Sequence, residues 1–136
     1  MPLILDTSAV LALAYEDEDA TYAESVLENV AGDRAVVPTL FWFEIRNALL
    51  MGERRGRISR EKTTSFLSDL ALFPFEVDDQ PREAEVMELA RRYRLTIYDA
   101  AYLELAQRRH LPLATVDAAI IRAASAAGVH LFTASE

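Results

Sequence analysis

Four of the 22 acidic residues in this 136-residue chain, Asp6, Glu44, Asp99 and Asp117, have no basic residue one helical turn away and stand among apolar ones. Glu44 has Leu40, Phe41, Asn47 and Ala48 at those offsets, and Asp117 has Ile120 and Ile121 ahead of it. An ionised carboxylate against apolar surface must find a hydrogen-bond donor, a proton or a cation. Four such groups in a chain without cysteine form an all-oxygen donor set, which suits Mg2+ or Mn2+, as one ion or two. Most other acids have ordinary local explanations. Glu88 precedes Arg91 and Arg92, Glu104 precedes Arg108, and the acidic run at 16–19 reads as a solvated loop. Taken singly, Asp99 and Asp117 also fit the role of a helix cap. Glu44 falls within a helix, where capping does not account for it.

The elements that must position these acids alternate between strand and helix. PLILD at 2–6 reads as a buried strand feeding a helix with a hydroxyl N-cap at Thr7 or Ser8. A second helix follows from Ala20, and AVVP at 35–38 is a second strand. Thr39 is placed to cap a long helix ending near Gly56, and Ser59 caps another running to Phe73. Phe75 to Val77 forms a short strand, Asp79 opens a helix through Tyr93, and Leu95 to Ile97 leads into a helix ending near His110. LPLAT at 111–115 and VHLF at 129–132 supply the last strands, around a helix closed by Gly128. Such alternation predicts an α/β fold, a mostly parallel sheet covered on both faces, in one domain over residues 1–136. In such sheets ligands bind beyond the carboxyl ends of the strands. Asp6, Asp99 and Asp117 at strand exits would share that edge, with Glu44 brought alongside by its helix.

Composition narrows the class. The net charge is −8, which argues against a generic nucleic-acid binder. Its distribution is uneven: residues 1–33 carry eight acids and no Lys or Arg, while 46–62 carry Arg46, Arg54, Arg55, Arg57, Arg60 and Lys62 against Glu53 and Glu61. Arg54, Arg55 and Arg57 are therefore candidate phosphate contacts, with a solvated helical surface as the competing explanation. No apolar run approaches a membrane span, and the N-terminus lacks a signal peptide's basic flank. The expected location is the cytoplasm.

At the four acids the chain resembles the PIN-domain ribonucleases, most closely the VapC-type toxins of toxin–antitoxin pairs. The matching stretches are LDTSAVLAL at 5–13, the pattern from Pro38 through Glu44 to Asn47, YDAAYLELA at 98–106 and LATVDAAI at 113–120. They occur in the family's order across nearly the whole chain. The resemblance implies a three-layer α/β/α sandwich with Asp6, Glu44, Asp99 and Asp117 as catalytic metal ligands. Ser8, Asn47 and Thr115 match positions that support that site. It further implies metal-dependent hydrolysis of RNA, a homodimer, and an antitoxin that occludes the site.

Other classes compete. A PIN-type nuclease working in RNA processing or on DNA, outside any toxin pair, shares every one of these residues. A non-catalytic module with a vestigial site is a second alternative, although all four acids are present. A receiver-like phosphoacceptor domain also places Asp at strand ends, but it needs a cation beside the phosphoryl group. The one lysine, Lys62, lies in a helix away from the strand exits. His110 and His130 are read as structural, and Tyr98 as a core residue rather than a base-stacking one. Among Phe41, Trp42 and Phe43, Trp42 is expected to face solvent or a partner.

Overall fold

In the computed structural model, which describes residues 1–134, four parallel strands form one sheet in the order β3-β2-β1-β4. The strands are β1 (Leu3–Leu5), β2 (Ala35–Pro38), β3 (Phe75–Asp78) and β4 (Leu113–Ala114). Leu3, Ile4 and Leu5 are consecutive and all fully buried. Successive strand side chains point to opposite faces, so helices must cover both sides of β1. The covering helices are α1 (Ser8–Leu11), α2 (Thr21–Gly32), α3 (Phe41–Arg54), α4 (Arg60–Leu70), α5 (Glu83–Tyr93), α6 (Ile97–Arg109) and α7 (Ala118–Ala124). On α3 the core side is Phe41, Ile45 and Leu49, spaced by four as a helix facing a sheet requires. The chain leaves β1 toward β2 on one side, while β4 lies on the other. Parallel α/β sheets commonly bind ligands at such a reversal, and Asp6 and Asp117 follow the carboxyl ends of the two strands concerned.

Several local expectations give way to tertiary structure. Neither Thr7 nor Thr39 caps a helix with its side chain. Thr7 and Ser8 turn their hydroxyls to carboxylates elsewhere, and α3 begins after Leu40. Leu95 to Ile97 forms no strand. Thr96 accepts a hydrogen bond from the Asp99 amide at 3.1 Å, so Ile97 is already helical. α5 starts at Glu83 rather than Asp79, because Pro81 disfavours a helical Gln80 and the Asp78 carboxylate holds the Gln80 amide. VHLF supplies a single bridge from Leu131 to Leu113, since β4 is only two residues long. Ser59 does cap α4, accepting from the Lys62 amide, and the helix ends at Leu70. Trp42 is half-buried against Phe41 and Phe75, and it is Phe43 that stands 79% exposed. His110 closes α6 in the left-handed conformation (φ 53°), a structural role.

The acidic run at 16–19 is also not simply solvated. Arg57 donates to Glu18 at 2.5 Å and to Asp17 at 3.4 Å, Lys62 pairs with Glu16, and the Arg57 guanidinium lies over the Tyr15 ring. Tyr15 itself packs on α3, where a Cβ on Gly52 would come within 2.5 Å of its hydroxyl. Gly52→Ala is expected to cost about 1–3 kcal/mol by overpacking, read as a lower urea midpoint at unchanged slope. A wild-type midpoint would show that Tyr15 moves aside freely.

Candidate active site

β1 ends directly in Asp6, whose carboxylate is 4% exposed. Its Oδ2 accepts hydrogen bonds from Ser8 Oγ at 2.6 Å and from Thr115 Oγ1 at 2.7 Å. Each hydroxyl in turn accepts a backbone amide from the segment after β4: Val116 to Ser8 and Asp117 to Thr115, both at 3.0 Å. Two hydroxyls thereby stitch the exits of β1 and β4 together. Asp117 caps α7 through Oδ1 and the Ile120 amide, at 3.0 Å. Asp99 stands in the first turn of α6, but Thr96 holds the capping position there, so no cap accounts for the Asp99 carboxylate. Glu44 reaches in from α3, and its Oε1 accepts from Tyr102 Oη at 2.7 Å and Thr7 Oγ1 at 3.3 Å.

Asp6, Glu44 and Asp99 each feel the charge of neighbouring acids. Burial raises the pKa of Asp6, and the Asp117 charge adds to that rise. Burial likewise raises Glu44, helped by the charges of Asp6 and Asp99. Asp99 is pushed up to about 6, by burial first and then by Asp117 and Asp6. Among the described residues none of the four forms a salt bridge. Every donor to Asp6 and Glu44 named above is a neutral hydroxyl. Mutually repelling acids with no protein cation are what a divalent ion would neutralise. As the side chains stand, no group of three ligands among the described residues converges around one point. Mg2+ keeps several waters and takes one or two carboxylates directly, so a loose ring of oxygens fits its chemistry.

This electrostatics has a consequence for stability. Asp99 ionises near pH 4 in the unfolded chain and near 6 in the metal-free fold. Its contribution is therefore complete below about pH 4 and lost as pH rises through about 6, on the order of 2 kcal/mol after solvent screening. Asp78 moves the other way, held to about 2 chiefly by Arg108, so its contribution is lost only well below pH 4. Metal-free protein is expected to melt higher at pH 4.5 than at pH 7, the reverse of ordinary acid sensitivity. Thermal melts across that range in a chelator check it. A profile that rises toward neutral pH would show that the acids do not repel.

The remaining sequence candidates separate. Ser8 and Thr115 belong to the site through Asp6. Asn47 is exposed on α3 one turn beyond Glu44 and makes no hydrogen bond to the four acids. Arg54 and Arg55 are exposed, whereas Arg57 is engaged by the 16–19 loop. Tyr98 is 61% exposed rather than core. The sequence did not single out Tyr102, and it offered Thr7 only as a helix cap, yet both donate to Glu44. The available signal was that a buried tyrosine hydroxyl needs a partner.

Four acids that form no salt bridge among the described residues thus stand just after β1, on α3, on α6 and in the segment after β4 of a parallel α/β sheet. The sequence profile of the PIN domain matches residues 3–126. Ribonuclease VapC3 of Pyrobaculum aerophilum is 31% identical over 121 residues, covering 86% of this chain and 90% of that one. The crystal structure of PAE2754 from the same organism superposes with a TM-score of 0.71 at 27% identity, covering 90% of this chain and 84% of that one. The chain belongs to the PIN-domain family, among its VapC-type ribonucleases.

Proposed function

We propose that the protein is a divalent-metal-dependent endoribonuclease, a single nuclease domain over 1–136 acting as the toxin of a type II toxin–antitoxin pair. The observation that carries this reading is the group of four acids that, among the described residues, no side-chain cation pairs with. Asp6, Glu44, Asp99 and Asp117 would hold one or two Mg2+ or Mn2+ ions. A bound divalent ion supplies positive charge to the scissile phosphate and makes a water acidic enough to attack at neutral pH. The chain's own part is placement. Ser8 and Thr115 fix Asp6, and Thr115 also orients the turn into Asp117. Asp99 projects from a helix whose capping position is held by Thr96, so its carboxylate is not needed as the cap.

Of the three candidate arginines, Arg54 and Arg55 remain available to the RNA backbone, an arrangement that reconciles local RNA binding with a net charge of −8. Neutralising both is expected to lower the slope of log affinity against log salt by about 1.4, as two single-strand phosphate contacts require. An unchanged slope would return them to the solvated surface. The expected partners are RNA, a cognate antitoxin and a second copy of the chain. Among the described residues no helix is long and apolar enough to cross a membrane, in keeping with a cytoplasmic enzyme.

The direct experiment is incubation of purified protein with a mixed RNA pool in Mg2+, Mn2+ or EDTA. Internal cleavage with either ion and none in EDTA is expected. Cleavage that survives chelation, or none with either ion, would overturn the reading. A small antitoxin-encoding frame immediately upstream of the gene would support the toxin role over RNA processing.

A further inference from the structure

We propose that Tyr102 is the positioning residue for Glu44: its phenol, sealed in the core beneath the acidic site, sets that carboxylate through the hydrogen bond from Oη to Oε1. Tyr102 is fully buried and is the largest side chain in the core to be so. It lies on α6, Glu44 lies on α3, and 58 residues separate them. The hydroxyl has one proton, and at 2.7 Å that proton goes to Glu44. Thr7 approaches the same Oε1 at 3.3 Å. Both donors thus converge on Oε1, and among the described residues Oε2 accepts no hydrogen bond.

The arrangement answers a need peculiar to Glu44. The three aspartates are short and sit at a strand exit or a helix start. Glu44, in the first turn of α3, is the one glutamate, and ordering its longer side chain costs about 1–2 kcal/mol. Anchoring one oxygen in advance removes that cost from ligand binding. Partners that orient a ligating carboxylate typically govern metal affinity about 10-fold or more. The inference rests on the metal-nuclease reading above and assigns Tyr102 a role within it.

The test is Mn2+ binding to metal-free protein, by titration calorimetry or electron paramagnetic resonance, for wild type, Tyr102→Phe, Glu44→Gln and the double variant. Phe keeps the ring and removes one oxygen, so the core stays filled. Tyr102→Phe is expected to weaken Mn2+ binding roughly 10-fold, with a small change in metal-free melting temperature. Added to Glu44→Gln, it is expected to weaken binding no further, because Tyr102 acts through that carboxylate. Thr7→Val, which leaves the aromatic core untouched, should weaken binding in the same direction by less. Under saturating metal, kcat should fall more than KM for RNA rises. Wild-type Mn2+ affinity in Tyr102→Phe, or an equal loss on the Glu44→Gln background, would overturn the inference alone. Absence of binding by the wild type would overturn the nuclease reading and the inference with it.

Discussion

Asp99→Asn is expected to reduce Mg2+-dependent RNA cleavage by more than about 100-fold while leaving the metal-free protein at least as stable as before. The two halves have separate causes. Asparagine keeps the size of the side chain but gives up the charge and one acceptor oxygen, so a hard cation loses a ligand. In the metal-free fold that same charge is a liability: burial and the charges of Asp117 and Asp6 push the Asp99 carboxyl up to about 6. Removing it relieves repulsion. The capping explanation is testable in the same experiment, because Thr96 and not Asp99 receives the amide at the start of α6. The rise in melting temperature on adding Mg2+ should shrink in the variant, since a ligand that binds only the folded state stabilises in proportion to its affinity. Full cleavage with an undiminished metal response would remove Asp99 from the site. Lower metal-free stability with normal cleavage would make it a structural residue.

Arg108→Met is expected to be strongly destabilising. Arg108 donates twice to Asp78, both at 2.9 Å, and to Glu104 at 2.8 and 3.3 Å. The Asp78 and Glu104 side chains are only 7% and 2% exposed. Asp78 keeps Arg109 at 3.0 Å, but Glu104 loses the one cationic partner it has among the described residues. Leaving a buried carboxylate uncompensated costs about 3–5 kcal/mol, a large share of the roughly 5–15 kcal/mol that holds a domain folded. A fall in melting temperature of roughly 10–20 °C follows. The double variant Arg108→Met with Glu104→Met should recover part of the loss, because no buried charge then lacks a partner. A single variant within about 1 kcal/mol of wild type would show that solvent screens the network. The network also ties α6, which carries Asp99 and Tyr102, to the end of β3, so partial loss of metal response in Arg108→Met is expected as well.

The sequence by itself determined the parallel α/β architecture and which carboxylates lack a local partner. Both are short-range properties: apolar runs and helical spacing select strands and helices, and the absence of a cation at i±3 or i±4 is visible in the chain. It also placed Asp6 and Asp117 at strand exits, because each follows an apolar run directly. What it could not determine was where the hydroxyls and the surface cations go. Thr7, Ser8 and Thr39 look like caps by position, yet Thr7 and Ser8 are claimed by carboxylates, one of them 37 residues away. Arg54, Arg55 and Arg57 look alike in sequence, and only folding brings the acidic 16–19 run against the last of them. Tyr102 looks like a core aromatic until α3 delivers Glu44 to its hydroxyl. A local pattern reports which groups still need a partner within their own turn of chain. Which partner they obtain depends on chain closure over 30 to 110 residues, and that is settled by the packing of helices on the sheet rather than by neighbours in sequence.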